Sequence, residues 1–426
     1  MKYFDEYLSD LKTLISFNSV KGEKSADAPF GEENKKALEF FLQRAKDFGF
    51  ETINYDNYIG EIVFGEGEEI GIIGHLDIVP VGDIGWETPP LTLVEKDGFL
   101  FGRGVSDDKG PTLLNLYVLR ELKENGFIPD KKIRFFAGCN EESGWADIDY
   151  FKTKSSFPEY GYSPDGTFPL TYAEKGIYQI KFCLPAFKNF TSIKGGVAIN
   201  AVCAYATAIP TEKGIDTDLL QKHNLVLKDN VIESYGKAAH GSAPHLGKNA
   251  IKPLLEYFAD MGEKTQHVID FLFNDKANLF GMITEQGKVT LSPNVIEQQG
   301  DKVFITCDCR IPAPLTIDDV LKVVDTFNLE YTLLPHSLEP MMVEKDGWFV
   351  QALLSSYNQI TGETGKPISM GGSTFARAFK KGCSFGFSFI GRYNHFAHDA
   401  NERISIADVE QAYEIYKTAI IKLAKK

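Results

Sequence analysis

Two nearly continuous apolar runs, IGIIGHLDIVPV (70–81) and KKIRFFAGCN (131–140), flank a Leu-rich segment from Thr112 to Asn125. An apolar run of this length bounded by Gly or Pro is the pattern of a strand covered on both faces. The segment between them has Pro111 at its start and Gly126 just past its end, the punctuation of a helix. Strand, helix and buried strand in this order predict a βαβ unit and a mainly parallel sheet. In such a sheet the chemistry belongs at the carboxyl ends of the strands.

Upstream, residues 3 to 15 and Asn34 to Phe48 carry apolar stripes at three-to-four spacing and predict amphipathic helices, the second stopping at Gly49. ETINYDNY and GEIVFGEG read as a strand pair. From about Gly176 the texture changes to alternating strands, IYQIKFCLP, GGVAINAVCAYATA, NLVLKDNVIESYGK and KVFITCDCRI, with helical stretches near 249–261 and 317–327. Buried strand text returns at CSFGFSFIG, and a last helix opens at Ser405, where Ser405 and Asp408 form an S-x-x-D capping pattern. The fold class is therefore α/β with an inserted α+β domain: 1–175 and 363–426 form a discontinuous catalytic domain, and 176–362 the insertion.

Composition limits what such a fold can be for. Hydrophobic residues at 43% and charged residues at 24% are ordinary for a folded globular chain. A net charge of −14 would on average repel a phosphate backbone or an anionic membrane, so nucleic acid and membrane are not expected partners. Asp5, Glu6 and Asp10 interrupt the region where a signal peptide needs an apolar stretch, and no window reaches the ~18 apolar residues of a membrane span. A cytoplasmic location is expected. The six cysteines lack a paired CxxC pattern, and Cys307 and Cys309 alternate like inward residues of a strand, so reduced, buried thiols are predicted.

Five polar clusters punctuate the apolar text. GHLDIVP puts His75 and Asp77 two apart at a strand end, where an aspartate behind an imidazole can set its tautomer. GRGVSDDKG places Asp107 and Asp108 at a helix start, two adjacent carboxylates whose repulsion a cation would relieve. CNEESG sets Glu141 and Glu142 at the end of the next buried strand, where one can bind metal and the other serve as general base. SPDG holds Asp165 in a turn, and NHFAHDANERI offers His395 and His398. Taken singly, each also reads as ordinary structure: an N-cap, an Asx-turn, a solvated acidic turn. Together they fall after successive strands, where one crevice can gather them. Two histidines and three carboxylates without cysteine suit Zn²⁺, with Mn²⁺ or Co²⁺ as substitutes. Two such ions would balance Asp107, Glu142, Asp165 and a bridging hydroxide, leaving Glu141 available as base.

These motifs resemble the dinuclear zinc amidohydrolases that include carnosinases, carboxypeptidase G, aminoacylase and succinyl-diaminopimelate desuccinylase, and most of all the bacterial dipeptidase V subgroup of Xaa-His dipeptidases. The likeness covers essentially the whole chain through GHLDIVPVGDIGW, GRGVSDDKGP, NEESG, SPDG, GKAAHGSAPHLGKNA and GGSTFAR. It implies metal ligation by His75, Asp107, Glu142, Asp165 and His398, with Asp77 orienting His75 and Asp107 bridging the two ions ahead of a cis peptide. It implies Glu141 as the general base. In the insertion, which the resemblance makes a lid, His240 of GKAAHGSAP matches an oxyanion-stabilising histidine and His245 does not. Asn200 and Arg310 look like lid residues for the substrate carboxylate, and the GGST turn (Gly372, Ser373) with Arg377 adds backbone N–H groups and charge.

The lid as read is about twice the ~75–100 residues that four strands and two helices need. Relatives with minimal lids dimerise and borrow the lid histidine, whereas the dipeptidase V type has a double-lobed lid that replaces the partner. A monomer with His240 acting in its own site is expected. The implied activity is hydrolysis of unsubstituted dipeptides by a metal-activated water. An N-acyl-amino-acid deacylase would use the same centre, and a silent metal-binding relative is the alternative outside the enzymes.

Overall fold

The computed structural model describes residues 1–425 except Asp83 and His336. Asp83, part of the GHLDIVPVGDIGW text, therefore lies outside the described residues. The chain forms two compact units: Met1–Tyr172 with Val343–Ile368 and Ser373–Lys426, and Ala173–Met342 with Ser369–Gly372. Among the described residues no helix is long and apolar enough to cross a membrane.

In the first unit the strands follow in the order Glu51–Tyr55, Ile59–Phe64, Lys132–Gly138, Glu69–His75, Tyr160–Ser163, Lys381–Ser384. The first two pairings are antiparallel. The three at the centre are parallel, as the βαβ reading requires. The crossover helix runs Lys109–Glu124, three residues earlier than predicted, and is buried along most of its length. Because successive strand residues point to opposite faces, Ile72 and Phe135 enter the large core with the helices Phe4–Ser16, Glu32–Asp47, Lys109–Glu124 and Ile406–Ala424. Ile73 and Phe136 enter a smaller core on the other face with Ile148, Phe151, Phe375 and Phe379. Ser405 Oγ accepts from the Asp408 amide at 3.0 Å and caps the last helix, the predicted start. The helix Trp348–Thr361, which the sequence reading assigns to the insertion, contributes Phe349, Val350 and Leu353 to the large core and belongs to this unit.

The second unit is built on one continuous eight-stranded antiparallel sheet, in the order Val226–Lys228, Val231–Tyr235, Tyr205–Pro210, Phe190–Gly195, Thr290–Gln299, Lys302–Ile311, Gly176–Pro185, Glu330–Leu333. Gly176–Pro185 alternates buried and half-buried residues, so one face packs on a core. That core includes Cys307 and Cys309, both fully buried, and the helices Ile251–Asp260, Gln266–Leu272 and Ile317–Asp325. GGVAINAVCAYATA, predicted as one strand, is two: the chain leaves the sheet after Gly195 and rejoins it at Tyr205.

Candidate active site

Strand ends of the first unit, with the turn around His398, deliver the predicted cluster. His75 is the last residue of Glu69–His75. Its backbone N–H donates to Asp108 Oδ2 at 3.1 Å, and Thr112 Oγ donates to the same oxygen at 2.8 Å. This close approach needs Gly74: a Cβ there would lie 1.9 Å from Thr112 Oγ and 2.5 Å from Asp108 Oδ2. The Asp107–Asp108 peptide is cis, as the resemblance implies. Glu141 and Glu142 follow the strand Lys132–Gly138, Asp165 follows Tyr160–Ser163, and His398 arrives from the segment ahead of the last helix.

Asp107 sits at the centre. Its Oδ1 lies 3.1 Å from His75 Nε2, and its Oδ2 lies 3.0 Å from His398 Nε2. Each imidazole has a further carboxylate: Asp165 Oδ2 is 3.8 Å from His75 Nε2, and Glu142 Oε1 is 3.2 Å from His398 Nε2. The donors thus form two sets, His75 with Asp165 and His398 with Glu142, sharing the two oxygens of one carboxylate. Ligand atoms of His75, Asp107 and Glu142 lie within 4.8 Å of one another.

Asp77 is tied differently from the simple reading of a carboxylate on an imidazole. The nearest group to His75 Nδ1 is the Asp77 backbone carbonyl at 3.0 Å, with the carboxylate oxygen at 3.5 Å. Both neighbours accept, so Nδ1 carries a proton, and Nε2 is turned to the donor cluster. The Asp77 carboxylate accepts the amides of Glu141 and Glu142 at 3.1 and 3.0 Å. One aspartate therefore aligns the first histidine and the glutamate pair together.

The electrostatics call for cations. Buried Asp77 and Asp108 and half-buried Asp107, Glu141, Glu142 and Asp165 gather around two imidazoles, His75 buried and His398 exposed. Burial, reinforced by the neighbouring carboxylates though opposed by His75, pushes Glu141 well above the usual carboxylate range. Burial and Asp107 likewise raise Glu142 and Asp165. Burial raises Asp108 to about 7. Asp107 goes the other way: despite burial, hydrogen bonds from both imidazoles hold it far below its ordinary value. Hydrogen bonds to Asp107 and Glu142 push His398 up to about 11. For His75, burial favours the neutral ring but the Asp107 and Asp77 contacts outweigh it. The buried cations of the same loop are committed elsewhere: Lys109 Nζ donates to the Leu14 and Phe17 carbonyls at 2.8 Å each, and Arg103 pairs with Glu402 at 2.8 Å. Oxygen and imidazole donors with this surplus of negative charge fit divalent metal ions.

The remaining predicted residues are distributed between the units. Ser373 and Arg377 lie in the first, Arg377 half-buried on the short turn Phe375–Ala378. Gly372, Asn200, His240 and Arg310 lie in the second. There His240 is exposed, its Nδ1 2.7 Å from Ser242 Oγ. The Asn200 carbonyl accepts from the Gly241 amide at 2.7 Å. Arg310 is buried and forked onto Asp308 at 2.7 and 2.8 Å, with a third bond to the Gly371 carbonyl at 2.9 Å. His245 and His395 join neither set. The sequence reading did not single out Asp308, two residues before Arg310 on the same strand face, nor Phe375, whose ring stands edge-on to His75 at 6.1 Å between centroids. Glu402, inside the quoted text NHFAHDANERI, was also passed over.

A mixed α/β fold that assembles two carboxylate–imidazole sets around a shared aspartate defines a metallohydrolase centre. Comparison with known proteins makes that class specific. The model of peptidase family M20/M25/M40 matches residues 71–422, and the chain belongs to this family of metallopeptidases. A Beta-Ala-Xaa dipeptidase of Lactobacillus delbrueckii subsp. lactis is 32% identical over 460 residues, covering 99% of this chain and 96% of that protein. Among solved structures, human carnosine dipeptidase 1 shares the fold with a TM-score of 0.59 at 15% identity, covering 99% and 97% of the two chains. A Bacillus subtilis M20 peptidase described as dinuclear metal-binding does so with a TM-score of 0.55 at 10% identity, covering 99% of each.

Proposed function

We propose that this protein is a two-zinc dipeptidase that hydrolyses the peptide bond of unsubstituted dipeptides, with Mn²⁺ or Co²⁺ able to replace zinc. The observation that carries the reading is Asp107, whose two oxygens each face a different imidazole at about hydrogen-bond length. His75, Asp107 and Asp165 would hold one ion, and His398, Asp107 and Glu142 the other. Ions bound there supply an activated water and polarise a substrate carbonyl. The dipeptide substrate follows the Beta-Ala-Xaa dipeptidase to which the chain is 32% identical.

The chain's own groups then have distinct tasks. Glu141 takes the proton from the attacking water on its carboxylate and returns it to the leaving amine. Asp77 holds both His75 and the amides of the glutamate pair, so base and ligand move together. His240, its ring set by Ser242, donates to the oxyanion. Asn200, Gly372, Ser373 and Arg377 contact the substrate, and Arg310 offers its carboxylate the part of its five-donor fork left by Asp308 and Gly371. The protein acts as a monomer through the length of its insertion. Its six cysteines, thiols rather than disulfides, support the reducing cytoplasm as its location.

Glu141→Ala tests the assignment. Turnover should fall by roughly 10³-fold or more, in the range for loss of a positioned general base, with metal content at the wild-type value. Loss of metal together with activity would make Glu141 a ligand and overturn the assigned roles.

A further inference from the structure

The loop that carries Asp107 is held from behind by one buried carboxylate. Glu402 is fully buried and Arg103 is 2% exposed. Glu402 Oε2 accepts from Arg103 Nη1 at 2.8 Å and from the Gly104 amide at 2.9 Å. Its Oε1 accepts from the Ser106 amide at 2.8 Å, Ser106 Oγ at 3.2 Å and the Asp107 amide at 3.1 Å. An ion pair serving stability alone would need only the guanidinium. Here three amides of one loop, those of Gly104, Ser106 and Asp107, converge on the same carboxylate, the last belonging to the residue whose side chain faces both imidazoles.

The segment that supplies this clamp also supplies one of those imidazoles, since Glu402 lies four residues after His398. Next to it, Asn401 accepts from the Glu87 amide at 2.7 Å and donates to the Gly85 carbonyl at 2.8 Å. Trp86, between those two, stacks over the Arg103 guanidinium at 5.2 Å. Residues 398–402 thus tie a ligand, the turn at 85–87 and the loop at 103–107 into one unit.

We propose that Glu402 is a positioning residue for the metal centre: by binding the Gly104, Ser106 and Asp107 amides it fixes the Asp107 carboxylate relative to His398, so that one carboxylate can serve both ions. This inference rests on the two-metal dipeptidase reading above. A carboxylate is required because every group facing it donates; a carboxamide would turn an N–H₂ toward one of those donors.

The test compares wild type with Glu402→Gln, Glu402→Asp and the charge-balanced double variant Glu402→Gln/Arg103→Met. Each is stripped of metal, melted, titrated with Zn²⁺ alone by calorimetry, and assayed for kcat and KM on a dipeptide. Glu402→Gln leaves Arg103 buried without a counter-charge and should melt lower, and the double variant should recover that loss. Zinc affinity should fall about 10–100-fold in all three, the range for loss of a group supporting a metal ligand, with kcat reduced and KM near wild type. Recovery of zinc affinity and kcat together with melting temperature in the double variant would overturn the proposal and leave a plain stabilising ion pair. Should the carboxamide variants not fold, Glu402→Asp, which keeps the charge and shortens the reach, decides: wild-type zinc affinity there overturns it equally. Wild-type protein that binds no zinc would overturn the two-metal reading and this inference with it. Wild-type protein that binds zinc without cleaving dipeptides would overturn only the substrate assignment, and the zinc affinities would still decide the clamp.

Discussion

Asp107 carries more of the site than any other side chain, because its two oxygens are the only atoms shared by both donor sets described here. Asp107→Ala should therefore remove both ions rather than one. Elemental analysis of the purified variant should show zinc near zero per chain, and retention of one full equivalent would contradict the shared-carboxylate arrangement. His240→Ala is expected to act differently. Loss of an oxyanion donor should lower kcat about 10²–10³-fold, checked by steady-state kinetics at fixed metal content, with KM little changed. Of the candidate site, His75, Asp77, Glu141, Glu142 and Asp165 were legible in the sequence because they stand at or just past the ends of buried strands, which converge by topology, whereas Asp107 was marked by its place at a helix start and His398 by the polar text around it. Glu402 was not, since its bonds to Gly104, Ser106 and Asp107 span almost 300 residues and leave no local spacing to read. Arg310 was visible as an arginine at a strand end, but the Asp308 fork that buries it depends on the i, i+2 geometry of a strand whose face was not yet known.

At the scale of elements, the strand Glu69–His75 matters for how closely the Asp108 loop can approach it. Gly74→Ala would drive a methyl group into Thr112 Oγ and Asp108 Oδ2. Overpacking of this kind costs about 1–3 kcal/mol, so the urea midpoint of the metal-free protein should fall, and an unchanged midpoint would show the loop to be less tightly seated. The buried strands of the first unit and the helices Phe4–Ser16, Glu32–Asp47, Lys109–Glu124 and Ile406–Ala424 were readable from apolar period and end signals. GGVAINAVCAYATA misled for a physical reason: Gly196 has φ +77°, Val197 is fully exposed, and the chain turns out of the sheet while its apolar count stays high. The helix Gln266–Leu272 went unread because seven residues are too few to establish a period. The helix Trp348–Thr361 was recognisable only by the core it joins.

For the molecule as a whole, carboxylates brought together only in the folded state should couple folding to metal binding. Ions that bind the folded state alone should stabilise it by about 2.7 kcal/mol at a hundred times their dissociation constant. Chelation should accordingly lower the melting temperature, and added Zn²⁺ or Mn²⁺ should restore it. A melting temperature indifferent to chelator would contradict a metal centre in the folded core. Sedimentation of the metal-loaded protein should give a single monomeric species. A stable dimer in which a His240 variant and a Glu141 variant complement one another would mean that the lid histidine acts across an interface.

The most direct measurement is turnover by metal-free protein titrated with Zn²⁺ or Mn²⁺, on a matched panel of α-dipeptides, β-Ala-His, tripeptides and N-acetyl amino acids. A two-metal dipeptidase should be silent without metal, should reach full activity at two equivalents per chain, and should cleave only the dipeptides. Activity without metal, or metal-restored activity directed to the N-acetyl amino acids, would contradict it.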